Sequence, residues 1–136
     1  MGTNSSSIKP VPHLIWIVED NLLVLSIVKH TILKHYPSIR VVTYSSLHEA
    51  AHDLVKTKSA EYPDKLILDY DYGSEGNVEY FLSFMGFLSE NEKFEVILHS
   101  DTPENKLSNA LSSPIVKKYV PKSTDLLPLI NAIGLS

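Results

Sequence analysis

Five short apolar runs alternate along the chain with longer segments of helical periodicity, and this alternation constrains the fold more than any other feature. Most of the runs are continuously apolar, which is typical of parallel strands buried on both faces. Five strand–helix units predict one doubly wound, flavodoxin-like α/β sandwich, with helices on both faces of a five-stranded parallel sheet in the order 2-1-3-4-5. The predicted strands are 14–18, 40–44, 65–68, 94–98 and 115–120.

The segments between the runs carry apolar residues at the spacing of helices that pack against a core. Asn21 and the Ser45-Ser46 pair stand where the N-caps of the first two helices are expected, and Pro37 ends the first helix. The fourth segment, which starts near Pro103, has the weakest periodicity. The third has a second, aromatic stripe, which we expect to pack in or beside the core, with a partner-binding face as the alternative. That stripe comprises Tyr80, Phe84 and Phe87.

The composition excludes several classes of function. The 136 residues include no cysteine, so a disulfide framework, a thiolate metal site and a cysteine nucleophile are excluded. The net charge of -4 argues against direct nucleic-acid binding, because that needs a basic face. No apolar run approaches the roughly 20 residues of a membrane span, and we recognise no secretory leader. We therefore expect a cytoplasmic protein without membrane contact, with a flexible leader over 1–13 and one domain over 14–136.

Polar side chains follow four of the five predicted strands. Because open parallel sheets bind ligands at the carboxyl ends of their strands, we expect these side chains to converge at one edge. Clustered carboxylates favour a divalent cation such as Mg²⁺, and a carboxylate beside the metal can attack phosphorus. The set therefore has the parts to accept and hold a phosphoryl group. Its members are Glu19, Asp20, Asp69, Ser100 and Lys122.

Four short motifs contain these residues, in chain order. They are Val18-Glu19-Asp20-Asn21, Leu66-Ile67-Leu68-Asp69, Ile97-Leu98-His99-Ser100 and Tyr119-Val120-Pro121-Lys122. At these separations the motifs resemble those of response-regulator receiver domains, which act in two-component signalling. One such motif is weak evidence, whereas four in order are strong. The resemblance covers roughly residues 14 to 134.

The resemblance implies that Asp69 is the phosphoacceptor. The donor would be a phosphohistidine on a sensor histidine kinase or a phosphotransfer protein. Mg²⁺ would be held by Glu19, Asp20 and Asp69, with Glu19 acting through water, and by the backbone carbonyl of Asp71. The domain would then be a switch and not a turnover enzyme.

The resemblance also implies how such a switch would work. Ser100 would be the hydroxyl that moves to bond the phosphoryl group, and Tyr119 the aromatic residue that swings inward with it. Lys122 would pair with a phosphoryl oxygen. The fourth helix, fifth strand and fifth helix would form the output or homodimer surface.

Three places depart from the usual receiver pattern. Gly73 stands where proline is usual and the next glycine, Gly76, comes one residue early, while Ser123 replaces a frequent proline. Asp101 stands where a small residue is usual, and its carboxylate would repel a phosphoryl dianion unless it pointed away. The shifted glycines and Asp101 favour, as an alternative, a receiver-like interaction module that works without phosphorylation.

A second alternative is a haloacid-dehalogenase-type phosphotransferase. The segment Asp69-Tyr70-Asp71 resembles the aspartate-x-aspartate signature of those enzymes. Those enzymes need further acidic metal ligands downstream of the lysine, however, and Asp125 is the only acidic residue after Lys122 in this sequence. We therefore regard this alternative as the weaker one.

Six histidines raise the question of a further metal site. His30 and His35 are five residues apart, and His48 and His52 are four apart, so either pair could lie on one face of a helix. We expect ordinary surface or partly buried residues at these positions. His99 precedes Ser100 on a strand and should face the opposite side of the sheet.

Overall fold

The chain folds around one parallel sheet, and the order of its strands matches the prediction. The computed structural model describes residues 13–58, 61–70, 78–88 and 95–134. Within these residues the five strands have the order β2-β1-β3-β4-β5. The strands are β1 Leu14–Val18, β2 Arg40–Tyr44, β3 Lys65–Leu68, β4 Glu95–Ser100 and β5 Val116–Pro121. The helices are α1 Leu22–His35, α2 Leu47–Lys56, α3 Val78–Leu88, α4 Ser108–Leu111 and α5 Leu127–Gly134. The predicted leader lies outside the described residues, apart from His13.

The continuous apolar runs are explained by a core on each side of the sheet. Trp16 and Val18 face one core, which α2 and α3 complete. Ile15 and Ile17 face the other core, which α1 and α5 complete. Successive side chains of a strand point to opposite faces, so a strand covered by helices on both sides must be apolar throughout.

The strand registers place the ends of β1 and β3 side by side. Val18 pairs with Leu68 in the parallel ladder, so Glu19 and Asp69 follow at the same level. At the other end of β3, the buried Lys65 ammonium lies 2.7 Å from Glu95 on β4. Removing one partner of such a buried pair is strongly unfavourable. The pair therefore favours the register that the sheet adopts.

The helices begin at side chains that satisfy their first backbone N–H groups. The Asn21 side-chain oxygen accepts hydrogen bonds from the N–H groups of Leu23 and Val24, each at 3.1 Å. Ser46 caps α2 in the same way. Both caps agree with the prediction. The longest described helix, α1, has 14 residues, and no described helix is long and apolar enough to cross a membrane.

The fourth helix is much shorter than the others. A 3-10 turn over Glu104–Lys106 precedes the four-residue α4. The following Ser112, Ser113 and Pro114 explain the early end, since serine competes for backbone hydrogen bonds and proline cannot continue a helix. Leu107 and Ala110 are nevertheless fully buried, so the segment still covers the core.

The aromatic stripe on α3 is only partly packed. Phe84 is half-buried against the core that α2 and α3 share. Tyr80 and Phe87 are 73% and 77% exposed, so the expectation that the whole stripe packs in or beside the core is wrong for these two residues.

His99 faces the α1 side of the sheet, as strand alternation predicts. Its ring lines a cavity with Val24 and Val28 of α1, and the residue is only 3% exposed. Burial, with a smaller contribution from the nearby Lys122 charge, lowers the pKa of His99 to about 4, against a weaker opposing effect of Asp101. The imidazole is therefore neutral in the folded protein at neutral pH.

Replacing His99 by leucine should make the protein less sensitive to acid. Since the folded-state pKa lies below the ordinary 6.5, the unfolded chain takes up the proton first, and stability is lost as the pH falls from 6.5 toward 4. Between pH 7 and pH 5, wild type should lose on the order of 2 kcal/mol of unfolding free energy relative to His99→Leu. Urea unfolding of both proteins at the two pH values measures this difference. Equal losses in the two proteins would contradict a buried, neutral His99.

Candidate functional site

Three carboxylates converge at the carboxyl ends of β1 and β3. Glu19, Asp20 and Asp69 each place one carboxylate oxygen within 4.8 Å of the others. The Glu19 N–H donates to the Tyr44 carbonyl at 3.0 Å and the Asp69 N–H to the Val18 carbonyl at 3.1 Å. These bonds extend the parallel ladders past the strand ends and hold the backbone of both acids. Glu19 and Asp69 are each 3% exposed, whereas Asp20 is open to solvent.

Lys122 joins the two buried carboxylates. Its Nζ atom lies 2.8 Å from Glu19 Oε1 and 3.3 Å from Asp69 Oδ1. The backbone N–H of Lys122 donates to the Ser100 carbonyl at 3.0 Å, which fixes the lysine at the end of β5. The structure thus brings together four of the predicted site residues, from three different strand ends.

The cluster carries more negative than positive charge. Burial raises the pKa of Glu19 and the charge of Asp69 adds to this effect, although the hydrogen bond from Lys122 opposes it. For Lys122, burial disfavours the ammonium, but the hydrogen bonds and charges of Glu19 and Asp69 outweigh it and raise the pKa. Two buried carboxylates therefore share one ammonium, and Asp20 adds a further negative charge at the rim.

This donor set fits Mg²⁺. Magnesium binds hard oxygen ligands, uses one or two carboxylates and keeps several water molecules. Asp69 and Glu19 supply buried oxygens, and Asp20 is exposed, so one side of the cluster is open to solvent. A cation here would also offset the charge that burial leaves uncompensated. The remaining predicted ligand, the Asp71 carbonyl, lies outside the described residues.

The two predicted switch residues both contact Thr102 in the loop after β4. Ser100 is completely buried, and its Oγ accepts a hydrogen bond from the Thr102 N–H at 3.0 Å. The Tyr119 hydroxyl donates to the Thr102 carbonyl at 2.9 Å. The Ser100 side chain thus caps the turn after β4. Thr102, in the same turn, also accepts the hydrogen bond from the Tyr119 hydroxyl.

Tyr70 contacts the site, and the sequence analysis did not predict this. Its N–H donates to Asp69 Oδ1 at 2.8 Å, and its hydroxyl donates to the carboxylate of Glu79 in the first turn of α3. The bond to Glu79, with burial and the Glu79 charge adding to it, raises the pKa of Tyr70 to about 12. Tyr70 therefore links the end of β3 to α3. The two partners are nine residues apart across a loop, and no periodic pattern relates them.

Asp101 does not belong to the acidic cluster. It is exposed and lines a cavity of about 560 Å³ beside Val24 and Ile27 of α1. Of the other departures from the receiver pattern, the structure describes only Ser123. Gly73 and Gly76 lie outside the described residues, and Ser123 is exposed in the segment before α5.

Comparison with known proteins identifies the fold. No protein-family model and no curated protein sequence matches the chain. Among solved structures, the phosphorylated cyanobacterial phytochrome response regulator RcpA is 21% identical, with 89% of this chain and 88% of that chain covered and a TM-score of 0.71. A response regulator receiver domain protein from Clostridium thermocellum is 18% identical, with 88% and 90% covered and a TM-score of 0.70. Vibrio cholerae chemotaxis protein CheY4 is 16% identical, with 88% and 94% covered and a TM-score of 0.71.

The chain has the receiver-domain fold of response regulators. The predicted resemblance is confirmed at the level of the fold. At these identities a shared fold does not by itself assign roles to residues.

Removing the lysine tests the charge balance of the cluster. Without Mg²⁺, Lys122→Ala leaves Glu19 and Asp69 buried without this counter-charge and should lower the unfolding free energy by about 3 kcal/mol. Adding Mg²⁺ should restore part of that loss. Urea unfolding with EDTA or with Mg²⁺ measures both effects.

Lys117→Ala is the matched control, since Lys117 lies on β5, the strand that leads to Lys122, but is exposed. It should cost about 0.5 kcal/mol or less and should show the same response to Mg²⁺ as wild type. If Lys122→Ala is as stable as this control in EDTA, Lys122 does not balance the cluster.

Proposed function

We propose that this domain is the phosphoacceptor of a two-component signalling system, with Asp69 as the residue that is phosphorylated. One observation carries the proposal: a buried aspartate at the carboxyl edge of a receiver-fold sheet contacts a lysine ammonium and adjoins two further carboxylates. The similarity of the fold to response-regulator receiver domains supports it. The donor is a phosphohistidine of a sensor histidine kinase or phosphotransfer protein.

In the proposed step, a carboxylate oxygen of Asp69 attacks the phosphorus of the donor. The O–P bond forms and the N–P bond breaks, with the electron pair returning to the donor imidazole nitrogen. The Tyr70 N–H and the Lys122 ammonium both contact Asp69 Oδ1, at 2.8 and 3.3 Å, and fix the orientation of the carboxylate. A positioned nucleophile of this kind removes much of the entropic barrier to transfer.

The surrounding residues stabilise charge on the transferred group. Lys122 already lies within contact distance of the acceptor carboxylate, so its ammonium can pair with a phosphoryl oxygen. Glu19, Asp20 and Asp69 would hold Mg²⁺, which neutralises charge on the phosphoryl oxygens when bound. Asp20 is exposed at the rim of the cluster, and the donor would approach from this open side.

The proposed switch involves the loop after β4. Movement of Ser100 Oγ toward the phosphoryl group, to which its hydroxyl would donate, would lengthen the hydrogen bond that Oγ now accepts from the Thr102 N–H. Tyr119 contacts the carbonyl of the same residue and would respond to any movement of it. Phosphorylation would then shift an equilibrium between two arrangements of this loop.

Three further expectations belong to this proposal. The domain acts as a switch, with at most self-phosphorylation and self-dephosphorylation, and not as a turnover enzyme. It works in the cytoplasm without binding nucleic acid itself. A homodimer or output surface is expected at α4, β5 and α5.

Chemical phosphorylation tests the function directly. The full chain is incubated with Mg²⁺ and either acetyl phosphate or phosphoramidate, then examined by intact-protein mass spectrometry. We expect one phosphoryl group per chain, labile to hydroxylamine as an acyl phosphate should be, and no adduct on Asp69→Asn or without Mg²⁺.

Asp101→Asn is the matched control at the same edge of the sheet. It lies outside the acidic cluster and should be labelled at least as fast as wild type, because a repulsive charge is removed. An adduct that persists in Asp69→Asn would contradict the assignment of the acceptor. The absence of any adduct in wild type would favour the interaction module, and sustained release of phosphate over many turnovers would favour an enzyme.

A further inference from the structure

Two histidines on α2 have the spacing of metal ligands and play no part in the proposed phosphorylation. The segment reads His48-Glu49-Ala50-Ala51-His52, and it lies wholly within α2. Residues four apart on a helix lie one above the other on the same face. Histidines in the pattern H-E-x-x-H on a helix can therefore bind one metal ion together.

The structure places both histidines at one concave surface. His48 and His52 are exposed, and both line a cavity of about 470 Å³ at the carboxyl end of β2, together with Tyr44 and Asp53. Ser46 caps the helix through a 3.1 Å hydrogen bond from the Glu49 N–H, so the turn that carries His48 is held in helical geometry. The pair is accessible and is mounted on a regular helix.

Asp53 is placed to orient His52. Its Oδ2 accepts a hydrogen bond from the Tyr44 hydroxyl at 2.9 Å, and its Oδ1 lies 4.0 Å from His52 Nδ1. Histidines that bind metals commonly direct one ring nitrogen to a carboxylate and use the other as the ligand. A small rotation of the ring would complete this contact and leave Nε2 of His52 to bind the metal.

We propose that His48 and His52 form a binding site for one divalent transition-metal ion of the zinc class, with water in the remaining coordination positions. Imidazole nitrogen suits Zn²⁺, Ni²⁺ and Cu²⁺, whereas Mg²⁺ prefers oxygen. The site is therefore chemically distinct from the acidic cluster at Asp69.

The site binds a metal but does not hydrolyse a substrate. A catalytic zinc site normally has three protein ligands. Among the residues that the structure describes, the only three converging ligand groups are Glu19, Asp20 and Asp69. Glu49, the residue at the position of the general base in H-E-x-x-H enzymes, accepts a hydrogen bond from Ser45 Oγ at 3.2 Å instead.

Metal binding at this pair would stabilise the folded chain. The two imidazoles lie one helical turn apart only when α2 is formed, so the ion binds the folded state more tightly than the unfolded one. The availability of the metal would then change the stability of α2, which packs against β2 and one of the cores.

Titration calorimetry with ZnCl₂ tests the proposal, using the full chain in excess Mg²⁺ so that the acidic cluster is occupied by its own ion. Wild type should bind Zn²⁺ at this site and melt at a higher temperature when it is bound. His48→Ala and His52→Ala should each weaken the binding by about tenfold or more, because one of two protein ligands is lost. Alanine favours helix at both exposed positions, so these variants should remain folded.

His30→Ala and His35→Ala are the matched controls, since both histidines are exposed on or at the end of α1. They should keep the wild-type affinity, and so should Asp69→Asn. Zn²⁺ binding that is unchanged in the double variant His48→Ala/His52→Ala would overturn the assignment, as would binding lost only in Asp69→Asn. Ni²⁺ should also bind wild type more tightly than it binds His48→Ala, which would extend the assignment from zinc to the metal class.

Discussion

The site depends on the contact of one lysine ammonium with two buried carboxylates. Glu19 and Asp69 follow neighbouring strands and are almost fully buried, so their mutual repulsion is poorly screened by solvent. The Lys122 ammonium, within 3.3 Å of both, compensates one of these charges but not the second. The excess negative charge makes the rim attractive to a cation, and the lysine provides a partner for an incoming anion. One arrangement therefore supports both parts of the proposed function, the binding of Mg²⁺ and the acceptance of a phosphoryl group.

The parallel sheet makes this contact geometrically feasible. Its registers bring the ends of β1 and β3 to the same level, while the pairing of Ser100 with Pro121 sets the level of Lys122 at the end of β5. Glu19, Asp69 and Lys122 each stand one residue beyond a strand, where a side chain need not fill the apolar layers between the sheet and the helices. The two apolar layers stabilise the fold, and the polar residues at the strand ends form the candidate site.

Much of the fold could be predicted because its signals are local. Continuous apolar runs located the strands to within a residue or two, and Asn21 and the Ser45-Ser46 pair located the starts of two helices. The positions of Glu19, Asp69 and Lys122 followed from the rule that strand ends share an edge. Contacts such as Tyr70 with Glu79 could not be predicted, because a loop separates the partners.

The length of α4 and the exposure of two aromatic residues on α3 each depend on competing effects, and the sequence pattern does not show which effect is the stronger. α4 is short because serines and a proline outweigh a weak apolar periodicity. Tyr80 and Phe87 are exposed because Val78, Phe81, Leu82 and Met85 already fill the space beneath α3. The shared concave surface of His48 and His52 arises from the meeting of α2 with the end of β2, which helical spacing alone does not show.

A crystal structure of the full chain with Mg²⁺ and beryllium fluoride, a mimic of the phosphoryl group, tests whether Asp69 is the acceptor and Lys122 its partner. We expect beryllium to be bonded to an Asp69 oxygen, with Lys122 Nζ in contact with a fluorine and the metal bound by Asp69 and Asp20. An adduct at another side chain, or a Lys122 that stays paired with Glu19 and makes no contact with the adduct, would contradict these assignments.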